Sequence, residues 1–191
     1  MINMLEASQA LVRRLADEDL VVAGLGNPKF NLFQAQDRPR NFYLWNAMGM
    51  ASSIGLGLAM AQPERRVVIL QGDGSLLMNL NSLASEAWRA PRNLIHICWD
   101  NRMFELTGKQ PTATAGPTDL ARLAEGAGFT HVERVETLAA FEAAVERAFA
   151  GGEGPWFIHA LVDSERAKPI PPPASPTFIR HRFMTDLGVE P

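Results

Sequence analysis

Two apolar runs of the sequence end in polar groups that can meet at one edge of a sheet. Residues 66–70 lead within two positions to Gly72-Asp73-Gly74-Ser75, and residues 93–99 lead to Asn101. Apolar runs of this length are typical of strands that are buried on both faces, as in a parallel sheet. Neighbouring parallel strands end at the same edge, so we expect Asp73 and Asn101 to face one point. Mg²⁺ prefers such hard oxygen ligands, usually together with phosphate oxygens.

Strand-like and helix-like segments alternate along the chain, which indicates an α/β fold. The sequence predicts strands at 20–23, 67–70, 94–99, 130–132 and 156–162. It predicts helices at 5–17, 47–61, from the GDGS turn to about 88, at 118–127 and at 137–149. We expect an irregular stretch around Pro28 and Pro39. This order is typical of a three-layer, doubly wound, mostly parallel sheet with helices on both faces.

The chain is expected to form one domain over residues 1–163, followed by a proline-rich arm over residues 164–191. Five of the 13 prolines lie between 169 and 176, and such a run favours an extended polyproline conformation. Two interpretations of the arm remain open. It is a disordered tail, or it docks on another surface such as a partner subunit, because apolar residues recur at near-helical spacing between 178 and 187.

Composition excludes several classes of protein. The chain is 47% hydrophobic and 20% charged, as is ordinary for a soluble globular protein, and its net charge of −3 gives no reason to expect nucleic acid or a membrane as partner. The N-terminus lacks the layout of a signal peptide, and the apolar stretch 47–61 is shorter than the about 20 residues of a spanning helix. The single cysteine, Cys98, is expected to be a buried thiol. We expect a cytoplasmic protein.

The segments on either side of the GDGS turn distinguish it from an ordinary tight turn. A strand precedes it, a helix follows it, and a second strand then leads to Asn101. This arrangement resembles the motif of thiamine diphosphate-dependent 2-oxo acid decarboxylases. The resemblance is greatest to sulfopyruvate and phosphonopyruvate decarboxylases and covers about residues 20–115. It rests on the segments 37–39, 41–43, 48–51, 53–57, 72–80 and 107–112, with a weaker echo at 182–184.

The resemblance implies that the chain binds thiamine diphosphate and Mg²⁺. Asp73 and Asn101 would bind the metal through their side chains, and Met103 through its backbone carbonyl. Met48 stands where related decarboxylases place the apolar residue that wedges between the two cofactor rings; an ordinary core methionine is the alternative. The full set of residues that the resemblance assigns to cofactor binding is Asn27, Ala47, Met48, Gly49, Gly72, Gly74, Ser75 and Phe104.

Two positions depart from the family pattern. Glycine is common where this chain has Met103, and a Gly-Ser-like pair is usual where residues 45–47 read Trp-Asn-Ala. The first departure concerns the shape of the loop beside the metal site. The second lies close to the reaction centre, so the sequence does not identify the substrate.

The activity that the resemblance implies is decarboxylation of a small 2-oxo acid, with the difficult chemistry supplied by the cofactor. In the family, the glutamate that activates the cofactor lies on a pyrimidine-binding domain, for which 191 residues leave no room. We therefore expect a β-type subunit that self-associates and whose active site is completed by a pyrimidine-binding partner subunit. Glu86 and Glu105 are expected to serve locally or to face solvent. The alternatives are a carboligase subunit of acetolactate-synthase type and a non-catalytic assembly subunit that keeps the fold.

The remaining motifs and polar residues give only weak evidence of a functional role. Gly24-Leu25-Gly26 lacks the third glycine of a dinucleotide-binding turn. The histidines at 96, 131 and 159 lie in or beside strands and are expected to be core residues rather than catalysts. Thr107, Gln110 and Thr112 either border the substrate entrance or structure their loop.

Overall fold

A six-stranded, fully parallel sheet forms the centre of the molecule. The computed structural model describes residues 1–150, 153–164, 170–172 and 175–190. The strands of the sheet are β1 (Leu20–Ala23), β2 (Asn41–Tyr43), β3 (Val67–Gly72), β4 (Leu94–Asp100), β7 (His131–Val135) and β8 (Trp156–Leu161). Their order is β2-β1-β3-β4-β8-β7. A small antiparallel hairpin lies outside it, formed by β5 (Met103–Phe104) and β6 (Gln110–Pro111).

Helices cover both faces of this sheet. They are α1 (Met4–Val12), α2 (Asn27–Ala35), α3 (Ala51–Ala61), α4 (Asp73–Met78), α5 (Asn81–Arg89), α6 (Leu120–Ala127), α7 (Leu138–Ala150) and α8 (Pro176–Asp186). Side chains of α1, α2 and α7 share one core with the sheet, and those of α3 to α6 pack in two clusters that involve alternate strand positions. Successive strand residues point to opposite faces, so Val21 joins the first core and Val22 the second. The predicted three-layer α/β fold is confirmed.

The strand order reverses beside β1, and this reversal positions the site. From β1 the chain crosses outward to β2, then returns to form β3 on the other side of β1. A crevice at the carboxyl ends of the strands is expected at such a switch point, and ligands of open α/β sheets bind there. The register aligns the ends of the next two strands as well, since Gly72 of β3 is the partner of Trp99 of β4.

Four predicted segments differ from the observed ones. Residues 27–35 form α2 rather than an irregular stretch, because Pro28 occupies the first turn, where a missing N–H costs nothing. The single helix expected after the GDGS turn is interrupted at Asn79 and Leu80, which separate α4 from α5. Helix α3 begins at Ala51, after a turn in which Gly49 has a φ of 88°. Helix α1 ends at Val12, and the short edge strand β2 was not predicted.

The apolar residues at near-helical spacing in the C-terminal arm lie mostly on a helix, α8. Ser175 caps this helix by accepting a hydrogen bond from the N–H of Phe178. Helix α8 packs on the edge of the same chain's sheet: the Phe183 ring lies 5.3 Å from that of Phe42, and Arg182 forms an ion pair with Asp37. The proline run before the helix falls partly outside the described residues. Within the described part of the chain, no helix combines the length and the apolarity needed to cross a membrane.

Candidate functional site

A cavity of about 180 Å³ opens at the carboxyl ends of β1, β3 and β4, at the switch point of the sheet. Its wall brings together segments that are distant in sequence. Nine of the eleven predicted site residues line it, which supports their grouping into one site: Asn27, Met48, Gly72, Asp73, Gly74, Ser75, Asn101, Met103 and Phe104. The other two, Ala47 and Gly49, do not line it. Gly49 is linked to the wall, because its N–H donates to Ser75 Oγ at 2.9 Å.

Asp73 is the buried carboxylate of this cavity. It is the first residue of α4 and is only 2% exposed. Its Oδ2 accepts a hydrogen bond from the hydroxyl of Thr112 (2.5 Å) and lies 3.2 Å from the hydroxyl of Thr114. Burial raises the pKa of Asp73 to about 6; the nearby Asp100 carboxylate also raises it, and the hydrogen bond from Thr112 opposes the rise. A cation beside Asp73 would therefore stabilise its charged form.

Asp100 forms the second carboxylate of this region; the sequence places it beside Asn101 at the end of a strand but assigns it no role. Its Oδ2 lies 2.8 Å from His159 Nε2, and its Oδ1 accepts hydrogen bonds from Thr114 Oγ1 (2.8 Å) and from the N–H of Arg102 (2.9 Å). Burial alone would raise the pKa of Asp100, but these hydrogen bonds and the nearby histidine hold it below its ordinary value. The signal available in the sequence was its position, directly before Asn101 at the end of β4.

Glu105 connects two predicted site residues and is itself on the cavity wall. Its Oε2 accepts hydrogen bonds from the side-chain amides of Asn27 and, at 2.8 Å, of Asn101. An ionised carboxylate only accepts, so it orients the NH₂ group of both amides. The Asn101 Oδ1 then faces the N–H of Met103, 3.2 Å away. Glu105 serves locally, as expected, but it belongs to the site, which the sequence did not reveal.

The two glycines of the turn have different surroundings. A Cβ added to Gly74 would overlap the ring of Phe104, so a side chain at 74 would push that ring out of place. A Cβ added to Gly72 would meet nothing closer than 4.0 Å. The open space at Gly72 lies on the cavity wall, so the backbone there is accessible to a ligand.

Residues 44–50 form a segment, here called the rim, of which Met48 lines the cavity. Asn46 has a φ of 49°, in the left-handed region that few side chains adopt. The buried Lys29 lies beneath this rim: its ammonium donates to the carbonyl of Leu44 at 3.2 Å and lies 4.5 Å from the Trp45 ring centroid. Burial lowers the pKa of Lys29. Trp45, which departs from the family pattern, therefore has a local structural partner in Lys29.

The donor set fits a cation that shares its ligands with a bound phosphate. Among the described residues, no cluster of three or more His, Cys, Asp or Glu side chains could hold a metal alone. The cavity instead offers the carboxylate of Asp73 and the amide of Asn101. One carboxylate completed by phosphate oxygens is the usual environment of Mg²⁺. The residues present therefore fit Mg²⁺ together with a diphosphate.

The weaker candidates lie at the cavity wall, on the exposed hairpin and in the interior. Gln110 is exposed on the hairpin and accepts a hydrogen bond from Thr107, which lines the cavity. Thr112 is buried behind Asp73 and structures the loop. The three histidines contact core groups: His96 contacts Glu86, His131 stacks on Trp156, and His159 contacts Asp100.

Comparison with known proteins gives the same family as the motif. Residues 24–160 match the family model described as "Thiamine pyrophosphate enzyme, C-terminal TPP binding domain". The chain is 45% identical over 162 residues to the sulfopyruvate decarboxylase subunit beta of Methanothermobacter thermautotrophicus, covering 85% of this chain and 83% of that one. It is 33% identical to the phosphonopyruvate decarboxylase of Streptomyces viridochromogenes, covering 97% of this chain but 46% of that protein.

A solved structure has the same fold at low sequence identity. The benzoylformate decarboxylase of Polynucleobacter necessarius superposes with a TM-score of 0.69 at 18% identity, over 87% of this chain and 34% of that one. At this identity the likeness concerns the fold alone. The family match covers more than half of the chain and includes the residues of the cavity wall from Gly26 to Thr107. The chain therefore belongs to the thiamine pyrophosphate enzymes and contains their C-terminal TPP-binding domain.

Proposed function

We propose that this chain is the diphosphate-binding subunit of a thiamine diphosphate- and Mg²⁺-dependent decarboxylase that acts on a small 2-oxo acid. The observation that carries the proposal is the meeting of Asp73, Asn101 and the open backbone at Gly72 in one cavity. The substrate class is that named in the relatives, a 2-oxo acid with a sulfonate or phosphonate group.

Five residues of the wall have an assigned role in this proposal. Asp73 and Asn101 bind the cation through side-chain oxygens, with the carbonyl of Met103 as a third ligand. Gly72 admits the diphosphate close to the backbone. Met48 supports the rings of the cofactor from the rim. The bound cofactor would supply the electron sink for decarboxylation.

A second polypeptide completes the active site in this proposal. Two facts support it: the chain spans 83% of a relative that is named a beta subunit, but 46% of a decarboxylase whose name carries no subunit designation. Besides Asp73, the carboxylate on the cavity wall is Glu105, and it is bound to Asn27 and Asn101. We therefore place the activating glutamate on a pyrimidine-binding partner, and we expect the chain also to self-associate.

Calorimetry with thiamine diphosphate and Mg²⁺ tests the proposal, with the chain alone and with candidate pyrimidine-binding chains. Wild type should bind the cofactor in a metal-dependent manner. Asp73→Ala should abolish this binding, because it removes the charged ligand. The control is Glu18→Ala. It removes an exposed acid next to the amino end of β1, whereas the cavity lies at the carboxyl ends of the strands. Absence of binding with every partner would refute the proposal, and unchanged affinity in Asp73→Ala would refute the metal assignment.

Turnover assays test the divided active site. The isolated chain should release little or no CO₂ from 2-oxo acids, and addition of the correct partner should restore turnover. Analysis of the products then separates decarboxylation, which gives a free aldehyde, from carboligation, which gives a condensed hydroxyketone. Robust turnover by the isolated chain would contradict the need for a partner.

A further inference from the structure

We propose that Thr112 and Thr114 are positioning residues that orient the Asp73 carboxylate for its cation and keep it apart from Asp100. The inference rests on the proposed cofactor site, and it assigns to this site two residues that do not line the cavity. Both threonines are buried, at 5% and 7% exposure. They lie in the loop that follows β4, and Asp73 begins α4.

Each of the two threonine hydroxyls has one proton, and this limits which carboxylate it can donate to. Each threonine has one O–H and therefore donates one hydrogen bond. Thr112 Oγ1 is 2.5 Å from Asp73 Oδ2, and Thr114 Oγ1 is closer to Asp100 Oδ1 (2.8 Å) than to Asp73 Oδ2 (3.2 Å). The two hydroxyls lie 2.9 Å from each other. Thr112 thus donates to Asp73, and Thr114 donates to Asp100.

This arrangement compensates the repulsion between the carboxylates of Asp73 and Asp100. Two carboxylates at the ends of adjacent strands repel each other, and burial strengthens the repulsion. Asp100 is compensated on its far side by His159, at 2.8 Å. Thr112 then donates a hydrogen bond to Oδ2 of Asp73, and Thr114 donates one to Oδ1 of Asp100. Asp73 is held in one orientation through Oδ2 before any cation arrives, so a cation need not order it.

The loop reaches this position because Gly74 has no side chain. The Thr112 Cγ2 lies 3.1 Å from the place where a Cβ of Gly74 would be. Thr112 therefore packs on the GDGS turn with its methyl group and donates to it with its hydroxyl. These two functions can be separated by substitution, because valine keeps the methyl packing and serine keeps the hydroxyl.

The test is the affinity of the full 191-residue chain for Mn²⁺ in the presence of thiamine diphosphate, measured by electron paramagnetic resonance. Residues that orient a metal ligand typically change metal affinity about 10- to 100-fold when they are removed. Thr112→Val should weaken Mn²⁺ binding by about that factor. Thr114→Val should do so by a smaller factor, because Thr114 donates to Asp100 and acts on Asp73 through its contact with the Thr112 hydroxyl. Thr112→Ser and Thr114→Ser should remain close to wild type.

The results of this titration can contradict the positioning role in two ways. Wild-type affinity in Thr112→Val, or equal weakening in Thr112→Val and Thr112→Ser, would overturn the positioning role. If the wild-type chain binds no Mn²⁺ with the cofactor present, either alone or with any candidate pyrimidine-binding chain, the proposed cofactor site fails and the inference fails with it. Thermal unfolding in chelator verifies that the variants fold. Thr112→Ala, which deletes the hydroxyl without placing two methyl groups near Gly74, repeats the test if the valine variant is unfolded.

Discussion

The two proposed metal ligands come from regions that are built in different ways. Asp73 lies at a direct junction, where β3 ends at Gly72 and α4 begins at the next residue. Asn101 lies in a long loop that contains the hairpin and has left-handed backbone at Arg102 (φ 62°) and Lys109 (φ 60°). The junction is fixed by local chain geometry. The loop is fixed by contacts to distant residues, such as the hydrogen bond between Thr112 and Asp73.

This difference has a consequence for how the site tolerates change. A junction defined by strand register and helix start leaves little freedom to move Asp73. The loop depends on polar contacts that are each worth about 1 kcal/mol, so it can be loosened stepwise. Substitutions that act on one region and not on the other should separate the two contributions.

The largest effect is expected for Gly74→Val, which breaks the fit between the two regions. The new side chain overlaps Phe104 and displaces the loop. Metal-dependent cofactor binding should be lost in calorimetry, and the free energy of unfolding in urea should fall by about 1–3 kcal/mol. Wild-type affinity in this variant would mean that the loop adapts freely and that the two regions are independent.

Asn101→Ala should have the next largest effect. It removes the proposed neutral ligand and leaves the proposed charged one. Mg²⁺-dependent cofactor affinity should therefore fall by about tenfold, which is the typical cost of losing one polar contact to a charged group. Asp73→Ala, measured in the same titration, should lose far more. An Asn101→Ala defect that equals or exceeds that of Asp73→Ala would reverse the ranking of the two regions.

Glu105→Gln should loosen the loop without affecting the junction. The charge that receives the amides of Asn27 and Asn101 is lost, so hydrogen exchange of the amides at 101–107 should accelerate by about fivefold, equivalent to about 1 kcal/mol. Amides of α4 in the same sample provide the internal control. Equal acceleration in α4 would show that the two regions open together.

Gly126→Ala should have the smallest effect and serves as the control for Gly74→Val. A Cβ at this position in α6 meets open space, and alanine favours the helix over glycine. The free energy of unfolding should rise by about 0.5 kcal/mol, with cofactor affinity unchanged. A loss of affinity would indicate that the site responds to glycine substitutions far from the loop contact.

Sequence reasoning succeeds where local rules decide the structure. The apolar runs of β3 and β4 and the glycines at 72 and 74 placed Asp73 and Asn101 at one edge of a sheet. Proline misled the interpretation of residues 27–35, because Pro28 in a first turn starts a helix as well as it ends one. The break at Asn79 depends on tertiary contacts: the Asn79 amide donates to the carbonyl of Gly49, 30 positions earlier.

The polar network around the cavity was beyond prediction for the same reason. The bond between Thr112 and Asp73 spans 39 positions, and that between Asn27 and Glu105 spans 78. No periodicity or short motif records a pairing over such a separation. Glu105 was expected to serve locally or to face solvent; its bond to Asn27 across the cavity could not be identified from one sequence.

The pairing of Ile2 beside the end of β8 has a practical consequence for spectroscopy. The Ile2 N–H donates to the carbonyl of Leu161, and the next residues bring Met4 to the cavity wall. A fluorophore or spin label attached at the N-terminus would therefore report on events at the cavity. A label in place of Trp88, which is 80% exposed near the opposite edge of the sheet, gives the matching silent position. Two labelled proteins thus distinguish ligand entry from global motion.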